Sequence, residues 1–335
     1  MSIQDVLIRK SGRVLHITLN RPRVINALTP AMSIAIEDAL VAAIDDPDIE
    51  GVLLDGAGER GLCAGGDINM SVSGDYDGLQ RFWEQEYRLD LFISKYPKPY
   101  IAFMEGITMG GGIGLSAHAS HRIVSERSRL ALPEVRIGFI PDVGGTHILA
   151  NAPGELGTHL GLTAGDMTAG DAIACGFADY FVSEDLLADL KHRIIFGEDS
   201  FTEEIKQLAS PAPDSNLLKQ QKWIDDAYSA NDIGEVLARL DARSEPEAHE
   251  AATIIRQVSP TSVVITLAAL RKARELNNLA SAFDLELRIG AALLRTFDMG
   301  EGVRAQIIDK DRNPQWQPAH IADVDKSWVA SLIKG

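Results

Sequence analysis

Two carboxylates eight residues apart, Glu134 and Asp142, stand in the stretch 132–145, each preceded by proline and enclosed by apolar residues and the pair Gly144-Gly145. An apolar setting raises a carboxyl pKa and poises the group for acid or base work. The same residues also read as plain structure, Glu134 as a first-turn helix carboxylate and Asp142 as an N-cap. Glycine is the second signal. Cys63-Ala64-Gly65-Gly66-Asp67 and Met109-Gly110-Gly111-Gly112-Ile113-Gly114 are dense in the residue that lacks Cβ, so the backbone there turns tightly or approaches a ligand closely. The second cluster follows a strand and opens a helical stretch, which aims free N–H groups at an anion or a developing oxyanion. Close packing of helix on sheet explains the same glycines without a ligand. Gly112, Gly114 and Ala117 also fit a loose dinucleotide-binding pattern, but Glu126 comes too soon to be its acidic partner about 20 residues on.

Other constellations are weaker. Gly114-Leu115-Ser116-Ala117-His118 lacks the final glycine of a nucleophile elbow. His118 and His121 have no nearby third ligand for a metal. Phe82, Trp83 and Tyr87 read as the core face of an amphipathic helix, and Glu86 among them is a carboxylate either solvated at the edge or pointed into a site.

These residues need elements to hold them. Residues 6–9 and 14–19 are apolar runs joined at Ser11-Gly12, which predicts a hairpin. Thr29-Pro30 reads as an N-cap with proline at the first helical position, followed by Met32, Ile36, Leu40 and Ala43 at helical spacing. Strands are expected at 51–54, 100–104 and 123–124, with helices at 79–94 and 111–119 between them, an alternation that argues for an α/β core with crossover connections. Beyond about residue 181 the segments 184–190, 217–230, 234–242 and 262–294 read as helical, and Ser210-Pro211-Ala212-Pro213-Asp214 is the clearest breaker. The expected organisation is a catalytic core over 1–200 and a helical C-terminal region over 201–335.

Composition limits the function classes. At roughly 150 residues per domain the 335 residues allow about two domains. The net charge of −16 leaves no positive excess for phosphate backbones or anionic lipid, so neither nucleic acid nor a membrane is expected as partner. Two cysteines, Cys63 and Cys175, support neither a disulfide framework nor a thiolate zinc site. Residues 1–10 lack a signal-peptide pattern and no run approaches a membrane span, which gives the expectation of a cytoplasmic protein.

Taken together the motifs resemble the enoyl-CoA hydratase/isomerase (crotonase) superfamily. The matching segments are Leu19-Asn20-Arg21-Pro22 with Asn26-Ala27-Leu28, then 62–68, 99–114 and 132–146, in that order. The resemblance implies an α/β fold, a crotonase-like spiral of ββα turns with a C-terminal helical extension, and an acyl-CoA thioester as substrate. It puts an oxyanion hole on the N–H groups of Gly66 and Gly111. Ala64, Gly65, Asp67 and Ile68 match the loop that holds the adenine end of CoA, and Arg23 is a candidate phosphate contact. CoA would enter as part of the substrate, with no resident cofactor or metal. Relatives commonly form trimers or hexamers, so a homo-oligomer is implied.

Departures within the superfamily bear on the chemistry. Hydratases of the family resemble one another in a catalytic Glu where this chain has Gly114, and in a second Glu at the position of Glu134. Glu134 with Asp142 resembles the pattern of 3-hydroxyisobutyryl-CoA hydrolases and of dienoyl-CoA isomerases. Residues 106–112, the loop 141–145 and Glu86, 25 residues before Gly111, resemble the hydrolases, as do Ser259-Pro260-Thr261-Ser262, Glu301-Gly302-Val303-Arg304-Ala305 and the stretch 309–316. The resemblance therefore implies hydrolysis of a short β-hydroxyacyl-CoA, with Glu134 as nucleophile or general base and with Asp142 and Glu86 on the substrate. An enoyl- or dienoyl-CoA isomerase or hydratase is the alternative, and a silent acyl-CoA-binding homologue is a third. Trp83 and Met70 are expected on the acyl pocket wall.

Overall fold

The structure, a computed structural model, describes residues 4–67 and 75–334. Strand β1 (Val6–Ser11) pairs antiparallel with β2 (Val14–Leu19), Val6 opposite Leu19 and Ser11 opposite Val14. The expected hairpin forms. Strands β3 (Gly51–Gly56), β4 (Tyr100–Phe103), β6 (His121–Val124) and β8 (Tyr180–Phe181) then add in parallel, giving the order β1-β2-β3-β4-β6-β8. β5 (Ile107–Met109) and β7 (Arg129–Ala131) form a second, two-stranded sheet. β4 and β5, and again β6 and β7, place one strand in each sheet in succession, and β5 leads directly into the helix Gly111–Ala117. This is the α/β spiral of ββα turns. All six residues of β2 and five of six in β3 are buried, as strands covered on both faces require.

The chain divides into two compact units, each discontinuous in sequence. The first holds the residues up to Asp67, Gln85–Leu130 and Met167–Ser215. On one face of its large sheet Val14, Leu53, Ile101, Phe103 and Ile123 pack with Leu190 and Ile194 of the helix Leu187–Phe196 and Phe201 and Ile205 of the helix Phe201–Leu208. The second unit holds the residues before Gln85 that open the helix Tyr76–Ser94, then Ala131–Asp166 and everything from Asn216 onward. It is helical. Its longest element after residue 216, Pro260–Leu276, buries ten residues and packs against the helices Gly145–Asn151, Leu156–Thr163, Leu279–Leu293 and Lys326–Lys334. Glu155 accepts there from Arg271 at 2.7 Å and from Arg274 at 2.9 Å, pairing the charge that burial would otherwise penalise.

Local signals act where expected: Thr29 Oγ1 accepts from the Met32 N–H at 3.3 Å and Pro30 opens the helix Pro30–Ile44. One expectation is corrected. The stretch 262–294 is two helices, because Asn277 turns left-handed at φ +41° and the Asn278 side chain caps the next helix through the Ser281 N–H at 2.9 Å. Among the described residues no single helix is long and apolar enough to cross a membrane.

Candidate active site

In the first unit the loop before Asp67 is laced to residues 25–28. The Leu28 N–H donates to Gly65 O at 2.8 Å, the Asp67 N–H to Leu28 O at 2.8 Å and the Ala64 N–H to Ile25 O at 2.9 Å. Asn26, fully buried, holds the turn behind it: Nδ2 reaches the carbonyls of Ala57, Gly61 and Leu62 at 3.0–3.1 Å, and Oδ1 accepts the Arg21 N–H at 2.8 Å. Arg21 also donates to the Asp67 carboxylate at 2.8 Å. The loop then runs beside β5, with the Met109 N–H donating to Cys63 O at 2.9 Å. That pairing brings Gly66 to Gly111. A Cβ on Gly111 would lie 3.5 Å from Gly66 N and 2.2 Å from Glu86 Oε1. Gly66, Gly111 and the buried Glu86 are therefore neighbours, and a Cβ at 111 would displace the Glu86 carboxyl. Four residues along the same helix, Asp90 fills the space beside Gly114, its Oδ2 2.3 Å from where a Cβ would stand. The Cys63 thiol is buried and pushed up to about 12, so it stays protonated.

In the second unit Glu134 opens the short turn Glu134–Ile137 directly after Pro133, and its carbonyl accepts the Phe139 N–H at 3.0 Å. Glu134 and Asp142 are both buried, at 7% and 6% exposure, so both carboxyls sit largely away from bulk water. After Asp142 the chain reverses sharply. Val143 at φ +53° and Gly144 at φ +77° are consecutive left-handed residues, and the Gly145 N–H closes the turn on Asp142 O at 2.7 Å. A β-branched residue in that conformation is strained and needs support from its surroundings. The support is Glu286, fully buried, which accepts the Gly144 N–H at 2.7 Å and the Thr146 N–H at 2.9 Å. Burial raises its carboxyl to about 8, the negative charge of Asp142 adding to the effect and the bonds from Thr146 and Gly144 opposing it. Trp83 packs against Phe139 with ring centroids 4.7 Å apart and the planes tilted by 32°.

The family model for enoyl-CoA hydratase/isomerase matches residues 14–333. The chain belongs to the enoyl-CoA hydratase/isomerase family. Over 99% of its length it is 35% identical to 89% of a chicken (Gallus gallus) protein described as mitochondrial 3-hydroxyisobutyryl-CoA hydrolase. Two solved structures are similar across nearly the whole of both chains. One, described as a carnitinyl-CoA dehydratase from Mycobacterium thermoresistibile, is 42% identical with a TM-score of 0.94, over 99% of this chain and 96% of that one. The other, described as an enoyl-CoA hydratase from Rhodobacter sphaeroides, is 44% identical with a TM-score of 0.90, over 98% and 97%.

As a member of this family the chain carries its motif residues in two groups. Gly66, Gly111 and Glu86 stand together in the first unit, and Glu134 and Asp142 lie within one segment of the second. Of the expected CoA-loop residues, Ala64 is exposed, Gly65 is buried, Asp67 is tied to Arg21, and Ile68 lies outside the described residues, as does Met70. Arg23 sits on the exposed turn Pro22–Val24, where its carbonyl accepts from Arg60 at 3.3 Å. Sequence reasoning assigned no role to Asn26, Asp90 or Glu286. A signal existed for Glu286, a lone carboxylate between Leu285 and Leu287 on an apolar helix face, and for Asn26, a short amide inside a family motif. Among the described residues no three His, Cys, Asp or Glu side chains gather as metal ligands, and His121 is bonded to Thr202 at 2.8 Å.

Proposed function

We propose that this protein hydrolyses 3-hydroxyisobutyryl-CoA, or a closely related short β-hydroxyacyl-CoA, to the hydroxy acid and free CoA. The observation that carries the reading is Gly114. By the family resemblance a hydratase needs a carboxylate at that position as well as Glu134, and here residue 114 has no side chain, the Asp90 carboxyl lying beside it. The full-length similarity to relatives described as 3-hydroxyisobutyryl-CoA hydrolases supports the same conclusion. The enzyme is thus an acyl-CoA thioester hydrolase.

In the reaction we assign, the thioester oxygen takes hydrogen bonds from the N–H groups of Gly66 and Gly111, and loss of one such donor typically costs about 3–4 kcal/mol of transition-state stabilisation. The carbonyl carbon gains an oxygen and loses the sulfur. Glu134 either forms a mixed anhydride that water then opens, or takes the proton of a water that attacks directly. Asp142 holds the substrate hydroxyl or passes a proton to the departing CoA thiolate, and Glu86 orients the hydroxyl. Label from ¹⁸O-water in the Glu134 carboxylate after one turnover marks an anhydride opened at the Glu134 carbon; an acyl-enzyme trapped by hydroxylamine marks the anhydride route whichever carbon water attacks. CoA is part of the substrate, and we assign no resident cofactor. The free, buried Cys63 and Cys175 fit a reducing compartment, in keeping with a cytoplasmic location, and the family resemblance implies a homo-oligomer, trimer or hexamer.

The second reading is addition or removal of water, favoured by the descriptions of the two solved structures. An assay with both substrate types separates the two. Free thiol released from 3-hydroxyisobutyryl-CoA supports hydrolysis, whereas an enoyl absorbance change without thiol release supports the hydratase.

A further inference from the structure

Glu286 has no part in the reaction as assigned above, yet it is the group on which the Asp142 turn hangs. It comes from the helix Leu279–Leu293, 140 residues along the chain from Thr146. One carboxyl oxygen accepts the Gly144 N–H at 2.7 Å, and the other accepts the Thr146 N–H at 2.9 Å and the Thr146 hydroxyl at 2.5 Å. A tie between helix and loop needs no carboxyl, because an apolar side chain packs a buried helix face at lower cost in desolvation. This carboxyl instead meets two backbone donors of a strained turn whose first residue is Asp142.

We infer that Glu286 is a positioning residue of the reaction, clamping residues 144–146 so that Asp142 is held in the geometry its role requires. The inference rests on the assignment of Asp142 to the hydrolysis. The charge state agrees with it. Burial and the nearby Asp142 raise the Glu286 carboxyl to about 8, so at neutral pH it retains a proton and adds no second negative charge beside Asp142. The bonds from Gly144 and Thr146 fix the turn to the helix, and misplacing a reacting group by about 1 Å costs on the order of a hundredfold in rate.

The test is thiol release from 3-hydroxyisobutyryl-CoA by the full-length enzyme and by Glu286→Ala, Glu286→Gln, Asp142→Asn and the double variant Asp142→Asn with Glu286→Ala. A positioning role predicts that Glu286→Ala lowers kcat on the order of a hundredfold with KM little changed. It further predicts that the double variant is no slower than Asp142→Asn alone, since a misplaced group already removed has nothing more to lose. Glu286→Gln retains an acceptor for Thr146 but faces Gly144 with a second donor, so its kcat falls between wild type and Glu286→Ala. Should the Ala variant fail to fold, the Gln variant carries the same comparison. A folded Glu286 variant with wild-type kcat, or an unchanged loss in the Asp142→Asn background, overturns the inference. Full activity in Asp142→Asn overturns the reading beneath it instead, so the two failures are told apart.

Discussion

Glu134 and Glu286 are buried acids to which we assign separate duties, and each has its own test. Replacing Glu134 by Gln keeps its volume and removes its basicity and nucleophilicity, so thiol release should fall about 10²- to 10⁴-fold while the circular dichroism spectrum is unchanged. A variant that retains turnover contradicts the assignment. For Glu286 the observable is stability against pH. Its carboxyl keeps a proton up to about 8, whereas a free Glu loses one near 4.3, so the stability it contributes is complete below about 4.3 and is lost as pH rises to about 8. His159 acts in the opposite sense: burial pushes it down to about 4, so its contribution is lost as pH falls from about 6.5 to 4. Between about pH 6.5 and 8 Glu286 alone of the two titrates. The unfolding free energy of the wild type should fall across that window by as much as ~1.4 kcal/mol per pH unit, and the fall should vanish in Glu286→Gln. Parallel curves for the two proteins would show that Glu286 titrates elsewhere.

At the scale of elements, the segment 133–146 is held by backbone geometry as much as by side chains. Gly138 lies at φ +77°, with Asp298 backbone 2.4 Å from where a Cβ would sit, so Gly138→Ala should cost about 3 kcal/mol or more in urea unfolding and slow catalysis through displacement of the Glu134 turn. A change under about 0.5 kcal/mol would mean that this turn yields more readily than its packing indicates. The break at Asn277-Asn278 makes a milder prediction: Asn278→Ala removes the cap to Ser281 and should cost about 1 kcal/mol. The elements differed in how readable they were. Thr29-Pro30 and the hairpin carry their own local signals, and the long strands carry apolar runs. β5 and β7, three residues each, are too short for any periodicity, and the Asn-Asn break lies inside a stretch whose apolar spacing continues on both sides.

For the whole molecule, the fold was legible because four motif segments occur in order along the chain, whereas the supports of the site were not. Glu286 meets its loop from 140 residues away, and Asp90 beside Gly114 depends on how one helix lies against another, which no local window contains. The same long-range packing places the Asp90 carboxyl beside Gly114, the position at which the proposed hydrolase departs from a hydratase. Gly114 supplies no hydratase carboxylate, and in the reaction we propose Glu134 acts with Asp142. The most direct measurement is therefore thiol release from 3-hydroxyisobutyryl-CoA by the wild type beside Glu134→Gln, with the enoyl absorbance followed in the same cuvette. The account predicts stoichiometric thiol from the wild type, almost none from the variant, and no enoyl signal from either. An enoyl signal that appears or disappears without thiol would contradict it.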